Sequence, residues 1–140
     1  MKIEIANIED KNELFNLEKE LFNDDSSALS KSSFLYHLKR NIIYKIEIDK
    51  KIIAYILWLK RKNYYRLYSI AILKEFQSKG FGKSLLIFSL SKLEKDIFEL
   101  EVRVTNIKAI KLYEKFGFEK IKILKDFYDD EDGIKMRLKR

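Results

Sequence analysis

The spacing of hydrophobic residues changes several times along the chain, and each change predicts a new element. Near the N-terminus apolar residues recur at helical spacing, as in Leu14, Leu17 and Leu21. From Ile42 to Leu73 the period becomes two, and β-branched and aromatic residues typical of strands dominate. Short polar turns such as Asp49-Lys50-Lys51 separate the strands. This part of the chain is therefore predicted to be a β-meander.

The N-terminal elements carry recognisable start and stop signals. A short strand is predicted over Lys2 to Ala6, and Asn7 can cap the helix that follows, with Asp10 completing a capping box. The turn-rich segment Asn23 to Ser27 is predicted to be a loop, and Ser30 to Arg40 a second short helix. The chain thus begins as a strand followed by two helices.

The C-terminal half alternates between helix and strand. A helix is predicted after Gly80, a strand over Ile97 to Thr105, and a helix over Asn106 to Phe116. Two last strands, Ile121 to Leu124 and Ile134 to Leu138, enclose an acidic loop. The predicted order is β-α-α-β-β-β-α-β-α-β-β, an α+β fold with a mixed central sheet. The crossover helix should make the strands on either side of it parallel.

Composition narrows the class of protein. The chain has 140 residues, of which 46% are hydrophobic and 36% charged, enough to bury one core and to exclude wholesale disorder. It has no cysteine, which removes disulfides, thiolate metal sites and a catalytic thiol. The single histidine, His37, gives no basis for a histidine metal site or a Ser-His-Asp relay. We expect one domain over residues 1–140 without a metal.

Neither a signal peptide nor a membrane span is expected. The longest apolar run, Ile52 to Leu59, is far shorter than the ~20 residues that cross a bilayer. A cytoplasmic protein is the resulting expectation. The 29 basic and 22 acidic residues give a net charge of +7, which favours an anionic partner such as nucleic acid, a ribosome or a phosphorylated cofactor. A lysine-rich solvated surface is the commoner explanation of such a charge.

The most informative segment is a strand, a glycine-containing loop and a helix start. Unpaired N–H groups and the dipole at a helix N-terminus form an anion site, and Lys79 and Lys83 add positive charge. A nucleotide-triphosphatase loop requires glycine at Gln77, and a dinucleotide fingerprint requires it at Leu85, so both fail. The hexapeptide 77–82, Q-S-K-G-F-G, instead matches the acyl-coenzyme A pyrophosphate loop Q/R-x-x-G-x-G/A. A tight helix-capping turn is the alternative.

A second motif lies downstream. The segment 106–118, N-I-K-A-I-K-L-Y-E-K-F-G-F, follows the pattern N-x-x-A-x-x-L-Y-x-x-x-G-F, and with both motifs nearly the whole chain resembles the GNAT acetyltransferase superfamily. The segments 100–106 and 69–72 are similar to the L-E-V-R-x-x-N and N-I-A-V of RimI-type ribosomal-protein N-terminal-alanine N-acetyltransferases. The chain departs from these enzymes at 24–27, where they often carry Pro-Trp-Ser near the acceptor site.

The resemblance implies a GNAT fold with splayed parallel strands and flanking helices, and acetyl-CoA as co-substrate. The pantetheine arm is expected along the backbone of Ile70 and Ile72, and the pyrophosphate on the N–H groups of Ser78 to Lys83. The expected acetyl-CoA contacts are Ile70, Ala71, Ile72, Gln77, Ser78, Lys79, Gly80, Phe81, Gly82, Lys83 and Asn106. Asn106 is also a candidate helix N-cap.

Two residues are candidate proton carriers. An acceptor amine is protonated near neutrality and must lose a proton before it attacks. Glu101 shares one strand face with Glu99 and Arg103, and a charge inside a sheet needs a partner or a purpose. We expect Glu101 to be the general base, through a water, with an ion pair to Arg103 as the alternative. Tyr113 is expected to give a proton to the departing thiolate, with a core aromatic as the alternative.

The acceptor is the least determined partner. Tyr128 and the acidic run Asp129 to Asp132 are candidate contacts of an acceptor peptide, with a mobile acidic hairpin as the alternative. The expected function is acetyl-CoA-dependent acetylation of a protein N-terminus, such as the N-terminal alanine of a small-subunit ribosomal protein, by direct attack in a ternary complex. A lysine side chain, polyamine, amino sugar or antibiotic is an alternative acceptor, and a non-catalytic RNA- or ribosome-binding module is a second alternative. Neither DNA nor a membrane is an expected partner, and a monomer or weak dimer is expected.

Overall fold

The computed structural model describes residues 1–22 and 28–140, and it confirms the predicted order of elements. The strands are β1 (Lys2–Ile5), β2 (Ile42–Ile48), β3 (Lys51–Lys60), β4 (Tyr65–Ile72), β5 (Ile97–Arg103), β6 (Glu119–Tyr128) and β7 (Glu131–Lys139). The helices are α1 (Lys11–Phe22), α2 (Lys31–Arg40), α3 (Phe81–Lys92) and α4 (Ile107–Lys115). Short 3-10 turns lie at Ile8–Asp10 and Lys74–Phe76. The loop predicted at Asn23 to Ser27 falls outside the described residues.

The strands hydrogen-bond in the order β1-β2-β3-β4-β5-β7-β6. Strands β4 and β5 pair in parallel through Tyr65 with Phe98 and Arg66 with Glu99, near the start of both strands. The pairs β1–β2, β2–β3, β5–β7 and β6–β7 are antiparallel. The mixed sheet and its parallel pair confirm the predicted fold class.

The chain forms two compact units, which are described separately below. The first comprises residues 1–60 and 68–94, and the second comprises residues 61–67 and 95–140. Strand β4 therefore contributes its first residues to the second unit and the remainder to the first. The single domain expected over 1–140 stays a prediction.

The core of the first unit is built around β3. Every residue of β3 except the two at its ends is buried, because α1, α2 and α3 all contact this strand. Burial on both faces explains why its apolar run is continuous rather than alternating. The indole N–H of Trp58 donates to the hydroxyl of Ser89 over 2.9 Å, and that hydroxyl donates to the carbonyl of Leu85 over 2.7 Å. The polar atoms inside this core are thus paired.

A buried carboxylate joins four segments of the first unit. Glu18 accepts from the backbone N–H of Leu29 over 2.9 Å and from the hydroxyl of Tyr55 over 2.5 Å. The hydroxyl of Ser69 lies 2.8 Å from that of Tyr55, and since Tyr55 gives its proton to Glu18, Ser69 is the donor. Burial and the nearby Glu18 raise the pKa of Tyr55. The network holds β4 immediately before Ile70.

The capping box predicted at Asn7 is present. The Asn7 side chain accepts from the N–H of Glu9 over 2.9 Å, and Asp10 accepts from the N–H of Asn7 over 2.9 Å. The box caps a 3-10 turn that precedes α1. The second oxygen of Asp10 accepts from the buried Lys45 ammonium over 2.9 Å. Burial by itself lowers the pKa of Lys45, but hydrogen bonds to Asp10 and Glu47 outweigh it and raise that pKa.

The second unit contains the hairpin of β6 and β7, and both strands are longer than predicted. Strand β6 continues to Tyr128 and β7 begins at Glu131, so the expected acidic loop is wrong and a two-residue turn, Asp129-Asp130, replaces it. Nearly all residues of β6 are exposed, and a strand without a buried face has no apolar alternation to reveal it. Helix α4 ends as predicted, with Gly117 at a φ of +97°.

Candidate active site

In the first unit, the turn between β4 and α3 presents its backbone at the start of a helix. Gly80 caps α3 with a φ of +87°, and Ser78 has a φ of +63°. The first intrahelical bond of α3 joins the N–H of Ser84 to the carbonyl of Gly80, which leaves the N–H groups of residues 81–83 without an intrahelical partner. A Cβ on Gly80 would meet nothing within 4 Å. This arrangement of donors and open space suits a phosphate group.

Two side chains of the turn, Gln77 and Lys79, contact other parts of the protein. The amide Nε2 of Gln77 donates to the main-chain carbonyl of Ile72 over 2.9 Å. The ammonium of Lys79 lies 5.9 Å from the ring centre of Phe76. The Gln77 side chain therefore closes the turn by bonding back to the end of β4.

Strand β4 presents alternate backbone groups on its two edges. The N–H of Leu73 donates to the carbonyl of Ile53 over 2.9 Å, so Leu73 and, two residues earlier, Ala71 face β3. Ile70 and Ile72 direct their backbone groups away from β3. Gln77 occupies the Ile72 carbonyl, and the N–H of Ile72 and the backbone groups of Ile70 lie on the same outer edge of β4. Pantetheine binding at this edge stays a prediction.

In the second unit, Glu101 is held by a residue that the sequence did not single out. Its Oε1 lies 2.8 Å from Nε and 2.6 Å from Nη2 of Arg66, and its side chain is only 12% exposed. The expected alternative, an ion pair between Glu101 and Arg103, is wrong. Arg103 instead contacts Asp130 over 2.5 Å and Glu131 over 3.4 Å. Arg66 is the one charged residue of β4, and this single charge in the strand is the feature of the sequence that points to a charged partner on a neighbouring strand.

The neighbouring carboxylate on the same face of β5 is also paired. Glu99 contacts Lys135 over 3.2 Å and Arg137 over 2.9 Å, both on β7. The interior acidic residues of β5 thus have cations on adjacent strands, which offsets the free energy of burying charge. Burial of Glu101 therefore has a structural explanation in Arg66, and a catalytic role must be argued from its remaining contacts.

Tyr113 combines a buried ring with an available hydroxyl. Burial, with a smaller effect of Tyr128, raises the pKa of Tyr113 to about 12. Its ring meets that of Phe118 edge-on, with centres 5.8 Å apart. Across residues 1–22 and 28–140 the hydroxyl has no hydrogen-bond partner, and no buried side-chain oxygen there lacks one, so this hydroxyl reaches solvent. Tyr113 packs as a core aromatic and still offers a proton.

Tyr128 lies in the same unit as both candidate proton carriers. Burial and then the charge of Glu101 raise its pKa. The guanidinium of Arg103 lies 4.3 Å from its ring centre. Gly133 packs closely against this ring, since a Cβ built on it would lie 3.1 Å from the Tyr128 ring. A half-buried phenol is thus fixed near Glu101.

The acidic run next to Tyr128 is engaged within its own hairpin. The hydrogen bond from Arg103 lowers the pKa of Asp130. Glu131 accepts from the N–H of Thr105 over 3.2 Å and from its hydroxyl over 2.8 Å, and Asp132 accepts from the N–H of Asp126 over 2.8 Å. These contacts tie the acidic run to Arg103, Thr105 and β6.

Asn106 performs the capping role predicted for it. Its side-chain oxygen accepts from the N–H of Ala109 over 3.3 Å at the start of α4. Contact of Asn106 with pantetheine stays a prediction. Within the described ranges, no group of three or more His, Cys, Asp or Glu residues is arranged to hold a metal, and no helix is long and apolar enough to span a membrane.

Comparison with known proteins gives a consistent set of similarities. The model of the Acetyltransferase (GNAT) family matches residues 7–118. The chain is 38% identical over 125 residues to the N-alpha-acetyltransferase of Sulfolobus acidocaldarius, covering 74% of this chain and 73% of that protein.

Solved structures extend the similarity to the whole chain. The ribosomal-protein-S18-alanine N-acetyltransferase of Escherichia coli has a TM-score of 0.87 at 26% identity, covering 99% of this chain and 92% of the other. A Bacillus subtilis acetyltransferase in complex with CoA has a TM-score of 0.80 at 25% identity, covering 99% and 98%.

Proposed function

The chain belongs to the GNAT acetyltransferase family and is an acyltransferase, and on that premise we propose that it acetylates the N-terminal amine of a protein. Relatives named N-alpha-acetyltransferase and ribosomal-protein-S18-alanine N-acetyltransferase support this class of acceptor. The observation that carries the chemistry is Glu101, an acidic side chain held inside the sheet near the half-buried Tyr128. An N-terminal alanine of a small-subunit ribosomal protein is the specific acceptor proposed.

The donor side of the proposal rests on the turn of the first unit. GNAT enzymes use acetyl-CoA, which supplies the acetyl group as an activated thioester. The N–H groups of residues 81–83 and the open space above Gly80 fit its pyrophosphate. The outward backbone of Ile70 and the N–H of Ile72 would hold the pantetheine, with Asn106 as a further contact. In this proposal Ala71 supports acetyl-CoA binding by its position between Ile70 and Ile72 in β4. Gln77 supports it through the hydrogen bond to the Ile72 carbonyl that shapes the turn.

Glu101 and Tyr113 divide the proton movements between them. Glu101 takes a proton from the acceptor ammonium through a water, which leaves a neutral amine. As the amine nitrogen bonds to the acetyl carbon, the bond between that carbon and sulfur breaks and the sulfur leaves with the electron pair. Tyr113 donates a proton to this sulfur, and the second proton lost by the acetylated nitrogen restores the phenol, whose pKa of about 12 keeps it protonated throughout an ordinary assay range. Tyr128 would contact the acceptor beside Glu101.

A peptide panel tests the acceptor. Acetyl transfer is measured from acetyl-CoA to peptides that differ only in their first residues, beside free lysine, polyamines, an amino sugar and an aminoglycoside. We expect transfer to the α-amine, fastest for a peptide that begins with alanine. Transfer to the small molecules alone would contradict the N-terminal acceptor. An absence of transfer to every acceptor would favour the RNA- or ribosome-binding alternative for this chain.

Substitution tests the base. Glu101→Gln should lower kcat by about 10²-fold or more, because the amine loses its proton acceptor. Glu99→Gln, on the same face of β5, is the matched control and should keep kcat within about twofold of the native enzyme. An unchanged pH–rate profile in Glu101→Gln would remove this role. A cytoplasmic location, the absence of DNA and membrane partners, and a monomer or weak dimer stay predictions.

A further inference from the structure

We propose that Arg66 is a positioning residue that holds one oxygen of Glu101 and leaves the other to accept the proton. The inference rests on the proposed function, because it assigns Arg66 a role only if Glu101 is the base. Arg66 lies outside both motif segments, 77–82 and 106–118.

The contact between the two side chains is one-sided. Both Nε and Nη2 of Arg66 approach Oε1 of Glu101, at 2.8 and 2.6 Å. An arginine often spans both oxygens of a carboxylate with two parallel hydrogen bonds, and here the guanidinium converges on one. The described residues make no hydrogen bond to Oε2. Since they contain no buried side-chain oxygen without a partner, Oε2 is accessible to solvent. One oxygen is therefore held and the other is available to a water.

The strand register explains why Arg66 has this position. Arg66 pairs with Glu99 in the parallel register of β4 and β5, so Glu101 lies two residues further along the same face. The Arg66 side chain is 31% exposed, whereas the Glu101 side chain is 12% exposed.

The other cations near Glu101 form ion pairs with other acidic residues. Lys135 lies opposite Glu101 in the β5–β7 register and contacts Glu99 over 3.2 Å. Arg103, on the same face of β5, contacts Asp130 and Glu131. The charged groups that flank Glu101 on the paired strands are Arg66 on β4, Glu99 and Arg103 on β5, and Lys135 on β7, and Tyr128 on β6 lies close enough for the charge of Glu101 to raise its pKa. Arg66 is the cation in direct contact with the base.

Two substitutions separate the charge of Arg66 from its geometry. Arg66→Gln removes the positive charge and both converging donors, so Oε1 of Glu101 is no longer held, and kcat at neutral pH should fall by roughly tenfold. Arg66→Lys keeps the charge but not the two converging donors. It should recover part of the activity and leave a kcat loss of about threefold.

The matched control loses a cation from the same sheet face. Arg137→Gln breaks a pair with Glu99 and should leave kcat within about twofold of the native value. The KM for acetyl-CoA should be unchanged in all three variants. Thermal unfolding is measured alongside, and if Arg66→Gln does not fold, the kcat of Arg66→Lys decides, because that variant retains the ion pair.

A double substitution shows whether Arg66 acts through Glu101. In the Glu101→Gln background, adding Arg66→Gln should change kcat by less than about twofold, because the group that Arg66 positions is gone. Additive losses would overturn the inference, as would native kcat in Arg66→Gln. In both cases an inactive Glu101→Gln leaves the proposed function standing. If Glu101→Gln itself keeps native kcat, the proposed base fails, and the inference fails with it.

Discussion

The side-chain amide of Gln77 donates to the main-chain carbonyl of Ile72 over 2.9 Å. The bond crosses the turn that joins the end of β4 to the start of α3. The pattern Q/R-x-x-G-x-G/A requires a long donor at its first position, and both glutamine and arginine supply one. In this protein that donor holds the shape of the turn, and the backbone N–H groups beyond it face the space for the pyrophosphate.

Loss of this bond should affect donor binding selectively. Gln77→Ala removes one hydrogen bond, worth about 0.5–1.5 kcal/mol, and should raise the KM for acetyl-CoA by about two- to tenfold with kcat nearly unchanged. Initial rates at varied acetyl-CoA and saturating acceptor measure both constants. Glu75→Ala, exposed in the same turn, should change neither. A fall in kcat at constant KM would show that Gln77 acts in the chemical step.

Burial of Tyr113 should make stability fall at alkaline pH. Its pKa rises to about 12 in the folded protein, whereas an unfolded tyrosine titrates near ~10. Between these values the unfolded chain releases the proton and the folded one keeps it, so the free energy of unfolding decreases as pH rises. The full effect of a two-unit shift is about 2–3 kcal/mol.

Urea unfolding of Tyr113→Phe at pH 9 to 12 measures this contribution. The variant should lose stability less steeply than the native protein across that range. Tyr36→Phe, which removes an exposed phenol from α2, is the control for the loss of a tyrosine without burial. Parallel curves for Tyr113→Phe and the native protein would contradict the linkage.

The hairpin between β2 and β3 should gain stability from a glycine. Asp49 and Lys50 have φ values of +52° and +65°, a left-handed turn for which glycine is preferred. Lys50→Gly should raise the free energy of unfolding by about 0.5–1 kcal/mol, since it relieves the strain of a side chain in this region. Lys51→Gly, one residue later in extended β3, should lower it by a similar amount. Equal destabilisation by both would contradict the prediction.

The buried bond between Glu18 and Tyr55 should be strongly coupled. Glu18→Gln and Tyr55→Phe should each lower the free energy of unfolding by about 1–3 kcal/mol, because each leaves a buried partner incompletely satisfied. The double variant should lose at least about 1 kcal/mol less than their sum. A cycle of Glu13→Gln with Tyr55→Phe is the control and should be additive, since Glu13 bonds instead to the N–H of Ile52. Additivity in both cycles would show that the Glu18–Tyr55 contact is energetically unimportant.

The order of elements followed from periodicity because burial repeats differently in helices and strands. For the same reason, the sequence predicts only a short part of strand β6. It is exposed along nearly its whole length, so only its short apolar stretch from Ile121 to Leu124 gave a signal. The sequence therefore predicts a longer loop where the structure has the two-residue turn Asp129-Asp130. Strand β6 lies at the edge of the sheet and is held by hydrogen bonds to β7. The hydrophobic pattern of β6 itself contains no sign of that partner strand.

The same distinction, between local sequence pattern and pairing of strands, applies to the candidate site. The sequence by itself determined the turn at residues 77–83, the cap at Asn106 and the identity of Glu101 and Tyr113 as proton-carrier candidates, because these depend on motifs of adjacent residues. Only the tertiary structure decided that Glu101 pairs with Arg66, 35 residues earlier, and not with Arg103. Side chains on one face of a strand reach sideways to neighbouring strands. Their partners therefore depend on strand order and register, which are set by burial of the sheet as a whole.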